Sequence, residues 1–136
     1  MAVWEMLTAF AKVEELNKAE DFLQNKKIVL LGKGKTAGGP IIRLIREKGL
    51  GFSLIDSKTE NRNELIKKAD VVISATGKKN IINRENLKKG SFVIGVGVGQ
   101  EDGTIYGDIN EEEVSKIAKL YCPTIGGIGP LTVACL

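Results

Sequence analysis

The 136-residue chain contains no histidine. That excludes a Ser-His-Asp or Cys-His catalytic centre and removes the side chain that most often moves protons near neutral pH. Any acid–base chemistry must then come from Lys, Tyr, Asp, Glu or Cys, or from a residue on another chain. Only two cysteines are present, Cys122 and Cys135. They are too few and too far apart for a structural zinc site, so no metal is expected. With no secretion signal they are expected to be reduced thiols. Aromatic residues make up only 5% of the chain, and its lysine pairs (Lys26-Lys27, Lys67-Lys68, Lys78-Lys79, Lys88-Lys89) are scattered. A nucleic-acid interface calls for a denser basic stripe interleaved with aromatics, so no nucleic-acid partner is expected. No run of 18 apolar residues exists, and the apolar segment Ala2 to Ala11 carries Glu5 and lacks a basic start. Neither a transmembrane helix nor a signal peptide is therefore expected, and the expected location is the cytoplasm.

What is present is ordinary for a globular domain: 43% hydrophobic residues, 27% charged, and a net charge of +3. The length suits one domain, which commonly runs to roughly 100–150 residues. Val3, Met6, Leu7, Phe10, Val13 and Leu16 recur at helical spacing, with Phe22 and Leu23 continuing the same face. Ile28-Val29-Leu30-Leu31 is a continuous apolar run, as expected of a strand buried on both faces of a parallel sheet. Pro40 opens an amphipathic helix, Ile41 to Lys48, and Gly49 is a C-cap. Phe52 to Ile55 is a second strand, Glu60 to Lys68 a helix, and Val71 to Ala75 a third strand. A short helical stretch at Arg84 to Leu87 precedes a fourth strand, Phe92 to Val96. Asn110 and Glu113 form a capping box for a helix to Lys119, and Leu120 to Cys122 is a short fifth strand. Leu131 opens a final helix, cut at Leu136. This alternation predicts an α/β, Rossmann-type doubly wound fold with a mainly parallel sheet of about five strands. Ligands of such sheets bind beyond the carboxyl ends of the strands.

Five segments lie there. Gly32-Lys33-Gly34-Lys35-Thr36-Ala37 matches G-x-G-x-x-A between a strand and a helix. Its glycines would allow a tight turn and close backbone approach to a pyrophosphate, with the helix N-terminus facing the anion. Asp56 stands just after the second strand, where an acidic residue accepts hydrogen bonds from the adenosine ribose of NAD. A 2′-phosphate would be repelled there by about 1 kcal/mol at 4 Å in water and about 4 kcal/mol at a partly buried site. Lys33, Lys35 and Lys58 pull toward a phosphate, and Asp56-Ser57 also suits a plain turn before the helix. Ala75-Thr76-Gly77 leaves room for the nicotinamide half and equally suits an ordinary strand-terminating turn. Gly95-Val96-Gly97-Val98-Gly99 places glycine at alternate positions of a central strand, a sign of close approach. The run Pro123 to Thr132 holds three glycines and two prolines, a restricted backbone whose ligand composition alone does not name.

In this order the segments resemble the C-terminal, NAD(P)-binding domain of the methylenetetrahydrofolate dehydrogenase/cyclohydrolase (FolD) family. The residues carrying the resemblance are Gly32 through Pro40, Ser57-Lys58-Thr59, Ala69-Asp70 with the strand after it and Gly77, and Gly97 with Gly107-Asp108. Above all they include Gly126-Gly127-Ile128-Gly129-Pro130-Leu131-Thr132-Val133-Ala134. The resemblance implies an NAD(P)-binding oxidoreductase domain of one-carbon folate metabolism, paired with a cyclohydrolase activity. It implies that Gly32, Lys33 and Gly34 touch the cofactor phosphates and ribose. Ser57, Lys58 and Thr59 would hold the adenosine ribose or its phosphate, and Val98 would lie against the nicotinamide. The loop Gly126, Gly127, Ile128, Gly129, Pro130 and Leu131 would line the folate side. Catalytic residues would lie on a preceding folate-binding domain outside residues 1–136, leaving the isolated chain inactive, and a homodimer is open. Several positions depart from the family's pattern: Lys33 for Arg, Gly34 for Ser, Asp56 for His, Gly95 and Gly99 for Asp and Asn, Ile125 for Pro. They lean the cofactor toward NAD over NADP. The alternatives are a stand-alone dinucleotide-binding or regulatory domain without catalysis, and the Rossmann domain of another dehydrogenase.

Overall fold

A computed structural model describes residues 2–32, 38–56, 59–76, 81–96, 98–101, 103–107 and 109–122. In chain order they form α1 (Ala2–Val13), α2 (Ala19–Leu23), β1 (Ile28–Leu31), α3 (Gly38–Glu47), β2 (Ser53–Ile55) and α4 (Arg62–Lys68). There follow β3 (Val71–Ser74), β4 (Phe92–Gly95), β5 (Val98–Glu101), β6 (Thr104–Gly107), α5 (Glu111–Ile117) and β7 (Leu120–Cys122). Five strands pair in parallel in the order β2-β1-β3-β4-β7, and β5 pairs antiparallel with β6.

The continuous apolar runs serve both faces of this sheet. Successive strand side chains point to opposite faces, so Ile28, Leu30, Val71, Ile73, Phe92 and Ile94 join one core with Leu7, Phe10, Phe22 and the α3 residues Ile41 and Ile45. Val29, Leu31, Val72 and Val93 join the other with Ile66 of α4, Val114 of α5, Ile82 and Leu87. Each such buried side chain contributes about 1.5–3 kcal/mol. Phe10, Phe22 and Phe92 close the first core, with the Phe22 and Phe92 rings perpendicular at 4.7 Å. At the amino ends of the strands, Asp70 accepts the Lys27 N–H at 2.9 Å and the Lys88 ammonium. Partial burial pushes the Asp70 pKa up. The Lys27 N–H, the Lys88 hydrogen bond, and the charges of Lys88 and Lys26 more than offset that and hold it below its ordinary value.

Four expectations are corrected. The first helical face is not one helix. Glu15 takes a left-handed φ of 63°, and the Leu16 N–H bonds Ala11 O at 2.8 Å while the Glu15 N–H bonds Lys12 O at 3.0 Å. This is the Schellman pattern that ends helices, formed here without glycine, so Phe22 and Leu23 reach the core from the separate α2. Residues Arg84–Leu87 are a turn rather than a helix. The Asn83 carboxamide accepts the Glu85 N–H at 2.9 Å, and Asn86 accepts the Asn83 N–H at 3.0 Å and donates to Ile81 O at 2.8 Å. These side chains offer the backbone an alternative to helical bonds. The alternate-glycine segment is not one strand, since β4 stops at Gly95 and Val98 opens a hairpin. α5 ends at Ile117 instead of Lys119, because the Lys119 N–H bonds Ser91 O at 2.8 Å and joins the strand side.

Other expectations hold in detail. Gly49 has φ 72°, and the Leu50 N–H bonds Ile45 O at 3.2 Å while the Gly49 N–H bonds Arg46 O at 3.0 Å. Asn110 caps α5 by accepting the Glu113 N–H at 3.2 Å. The reciprocal half of the capping box is missing, because the Glu113 carboxylate accepts the Arg84 N–H instead.

Candidate functional site

The parallel register brings Leu31, Ile55 and Ser74 level, with Gly95 beside Ser74. Hydrogen bonds then carry the ladder one step further. The Gly32 N–H bonds Ile55 O at 3.0 Å, the Ala75 N–H bonds Leu31 O at 2.8 Å, and the Val96 N–H bonds Ser74 O at 2.7 Å. Gly32, Asp56, Ala75 and Val96 therefore lie side by side just past the strand ends. From β1 the chain proceeds to α3 on one face, and from β3 it proceeds to Ile81, Ile82 and Leu87 on the other. Connections that diverge from adjacent strands open a crevice between them, and here that switch point falls between β1 and β3.

Gly32 sits at this point with φ 89°, a left-handed backbone that glycine adopts freely. A Cβ built on it would lie 2.5 Å from Ala75 O and 2.9 Å from Ala75 C. The turn after β1 and the turn after β3 thus touch through backbone alone, in a space only glycine fits. Beside them Ser74 is fully buried at the end of β3 and Ala75 and Thr76 are half-buried. Ser74 went unnoticed in the sequence, where it reads as one more residue of a strand.

On the other side of Gly32, Asp56 follows β2 by one residue and is half-buried. Its N–H donates to Thr59 Oγ1 at 3.1 Å, the Thr59 hydroxyl lies 3.3 Å from Asp56 Oδ1, and the Thr59 N–H donates to Asp56 O at 3.2 Å. Asp56 is thus the head of a closed turn. It is not the cap of α4, whose N-cap position is Asn61.

The structure therefore brings together Gly32, Asp56, Thr59, Ala75 and Thr76. Val98 is the first residue of β5, two residues past Val96. Lys33, Gly34, Lys35, Thr36, Ser57, Lys58, Gly77, Gly97 and Gly126 to Leu131 lie outside the described residues. Among the described residues no group of three His, Cys, Asp or Glu could hold a metal ion, and no helix is long and apolar enough to cross a membrane.

A doubly wound sheet with a glycine turn at its switch point and a carboxylate past the neighbouring strand defines a dinucleotide-binding class of domain. Comparison with known proteins narrows it. Residues 7–136 match the family model "Tetrahydrofolate dehydrogenase/cyclohydrolase, NAD(P)-binding domain", and the chain belongs to that family. It is 35% identical over 127 residues to the bifunctional protein FolD of Staphylococcus epidermidis, covering 93% of this chain and 44% of that one. Among solved structures, the bifunctional FolD methylenetetrahydrofolate dehydrogenase/cyclohydrolase of Campylobacter jejuni superposes with a TM-score of 0.76. That match is at 30% identity and covers 96% of this chain and 45% of that one. The Trypanosoma brucei FolD, solved with NADP cofactor and inhibitor, shares the fold with a TM-score of 0.75 at 24% identity, covering 95% of this chain and 45% of that one. The chain thus spans about half the length of the relatives it matches.

Proposed function

We propose that this chain is the cofactor-holding half of a methylenetetrahydrofolate dehydrogenase with an associated methenyltetrahydrofolate cyclohydrolase activity. The dinucleotide runs across the β1/β3 switch point. Gly32 lets the backbone turn without a side chain in the cofactor's path, and the helix that follows directs its amino end toward the pyrophosphate. The residues present fit such a ligand: the Gly32 turn lies at the switch point, and Asp56 follows the neighbouring strand β2. A bound nicotinamide would supply the hydride acceptor for oxidation of the folate's one-carbon bridge. The chain's own residues supply binding and orientation. By their place in the sequence pattern, Lys33, Gly34, Lys35, Thr36, Ser57 and Lys58 are the candidates for phosphate and ribose contacts, and Gly77, Gly97 and Val98 for contacts with the nicotinamide half. Residues Gly126 to Leu131 are the candidates for the folate side, whose site a polypeptide equivalent to the remaining half of the relatives would complete.

The observation that carries this reading is the Gly32 turn pressed against Ala75, with Asp56 beside it. Asp56 also makes NAD the preferred cofactor in this proposal, because its carboxylate accepts the ribose hydroxyls and repels a 2′-phosphate. Calorimetric titration of the chain with NAD and NADP tests it. Hydrogen bonds to a charged acceptor are worth about 1.5–3 kcal/mol, so Asp56→Ala is expected to weaken NAD about 10- to 150-fold and NADP less. No binding of either dinucleotide would overturn the reading. An NAD affinity that Asp56→Ala leaves unchanged would overturn the ribose role.

A further inference from the structure

We infer that Thr59 is a positioning residue that sets the discrimination between NAD and NADP by holding the Asp56 carboxylate, and is not itself a ligand of the cofactor. The inference rests on the ribose role proposed for Asp56. A threonine hydroxyl has one proton to give and two lone pairs. At Thr59 the oxygen accepts the Asp56 N–H at 3.1 Å. The hydroxyl proton must then point elsewhere, and Asp56 Oδ1, 3.3 Å away, lies within hydrogen-bond reach of it. Directed there, the only donor of this side chain is committed inside the turn, so none is left for a ribose phosphate. The Thr59 N–H is equally committed, to Asp56 O at 3.2 Å.

The arrangement orients the acid. Three contacts tie Asp56 and Thr59 together, and the β-branched threonine is stiff at χ1. A carboxylate offers about four lone-pair sites, so accepting from Thr59 does not exhaust it. Its orientation is set before a ligand arrives, which removes an ordering cost from binding. A carboxylate so held favours a ribose diol and opposes a 2′-phosphate with the same group.

The test compares Thr59→Val, which removes the hydroxyl and keeps the branching, with Thr59→Ser, which restores it. Each is made in the wild-type and Asp56→Ala backgrounds and titrated with NAD and with NADP. Thr59→Val removes both hydrogen bonds of the hydroxyl, and loss of the one that orients the carboxylate predicts about 2- to 10-fold weaker NAD binding. NADP affinity should stay within about twofold, Thr59→Ser should match wild type, and Thr59→Val should add nothing once Asp56 is alanine. Should Thr59→Val not fold, Thr59→Ala carries the same comparison. Equal weakening of NAD and NADP would make Thr59 merely structural and overturn the inference. A Thr59→Val effect that persists on the Asp56→Ala background would make it a direct ligand and also overturn it. If Asp56→Ala weakens NAD and Thr59→Val does not, the positioning role alone falls. If Asp56→Ala changes nothing, the ribose role falls and the positioning role with it.

Discussion

Replacing Gly32 by alanine separates two costs that glycine avoids, because two other glycines serve as controls. A non-glycine residue in left-handed backbone costs about 1–2 kcal/mol, and Gly32 has φ 89°. The added methyl would also lie 2.5 Å from Ala75 O, a backbone atom. Ala75 cannot retreat cheaply, since its N–H is bound to Leu31 O at 2.8 Å. Overpacking of this kind adds about 1–3 kcal/mol. The sum is about 2–5 kcal/mol, a large share of the about 5–15 kcal/mol that holds a domain folded. Gly49 has φ 72° but nothing within 4 Å, so Gly49→Ala carries the backbone cost alone. Gly51 has neither a left-handed φ nor a neighbour within 4 Å, and Gly51→Ala should fall within about 0.5 kcal/mol of wild type. Urea unfolding followed by far-ultraviolet circular dichroism measures all three on one scale, provided the m-values agree. The expected order is Gly32→Ala well below Gly49→Ala, and Gly49→Ala below Gly51→Ala. If Gly32→Ala costs no more than Gly49→Ala, the two turns do not touch, and the crevice built on their contact falls with it.

Asp70→Asn tests the amino-end clasp. With a folded pKa below the ordinary carboxylate value, Asp70 contributes stability that is full above the unfolded pKa of about 4 and is lost as pH falls through the folded value. The variant should lose about 1 kcal/mol at neutral pH and show a flatter loss of stability below about pH 4 than wild type. An unchanged acid limb in pH-dependent urea titrations would refute the role. Asn110→Ala removes the acceptor of the Glu113 N–H and should cost about 0.5–2 kcal/mol, whereas Asn110→Ser should restore most of it in the same assay.

The sheet was legible because parallel strands buried on both faces are written as unbroken apolar runs. Ile28 to Leu31 and Val71 to Ser74 have no polar interruption before the strand end, and the structure buries all four residues of each. What escaped was decided by single residues whose behaviour their type does not announce. Glu15 ends α1 in a conformation usually left to glycine. Asn83 and Asn86 draw backbone groups into a turn where a short helical stretch is expected. The β5–β6 hairpin was missed because the alternate-glycine reading takes Val98 and Gly99 as the end of one strand and assigns no strand to Thr104 to Tyr106. Yet Asp102-Gly103 lies between Glu101 and Thr104, which pair across the turn, and an Asp-Gly loop of two residues is a hairpin signal.

The site was legible in proportion to how local its parts are. The glycine fingerprint and the acid past the second strand follow from spacing within one βαβ unit, and Gly32 and Asp56 stand beside each other at adjacent strand ends. Contact between Gly32 and Ala75 is a different kind of fact. It depends on β3 pairing directly with β1, and no residue of either strand states that order. The strands could alternate with helices just as regularly in other orders, with the same glycine and the same Ala-Thr pair at opposite sides of the sheet. The tie between Thr59 and Asp56 is subtler still, because a threonine three residues after an aspartate is common and only closure of the turn makes it a clamp. The sequence motif therefore names the candidate residues for a dinucleotide. The strand order and the Asp56–Thr59 hydrogen bonds decide which of them stand side by side past the strand ends.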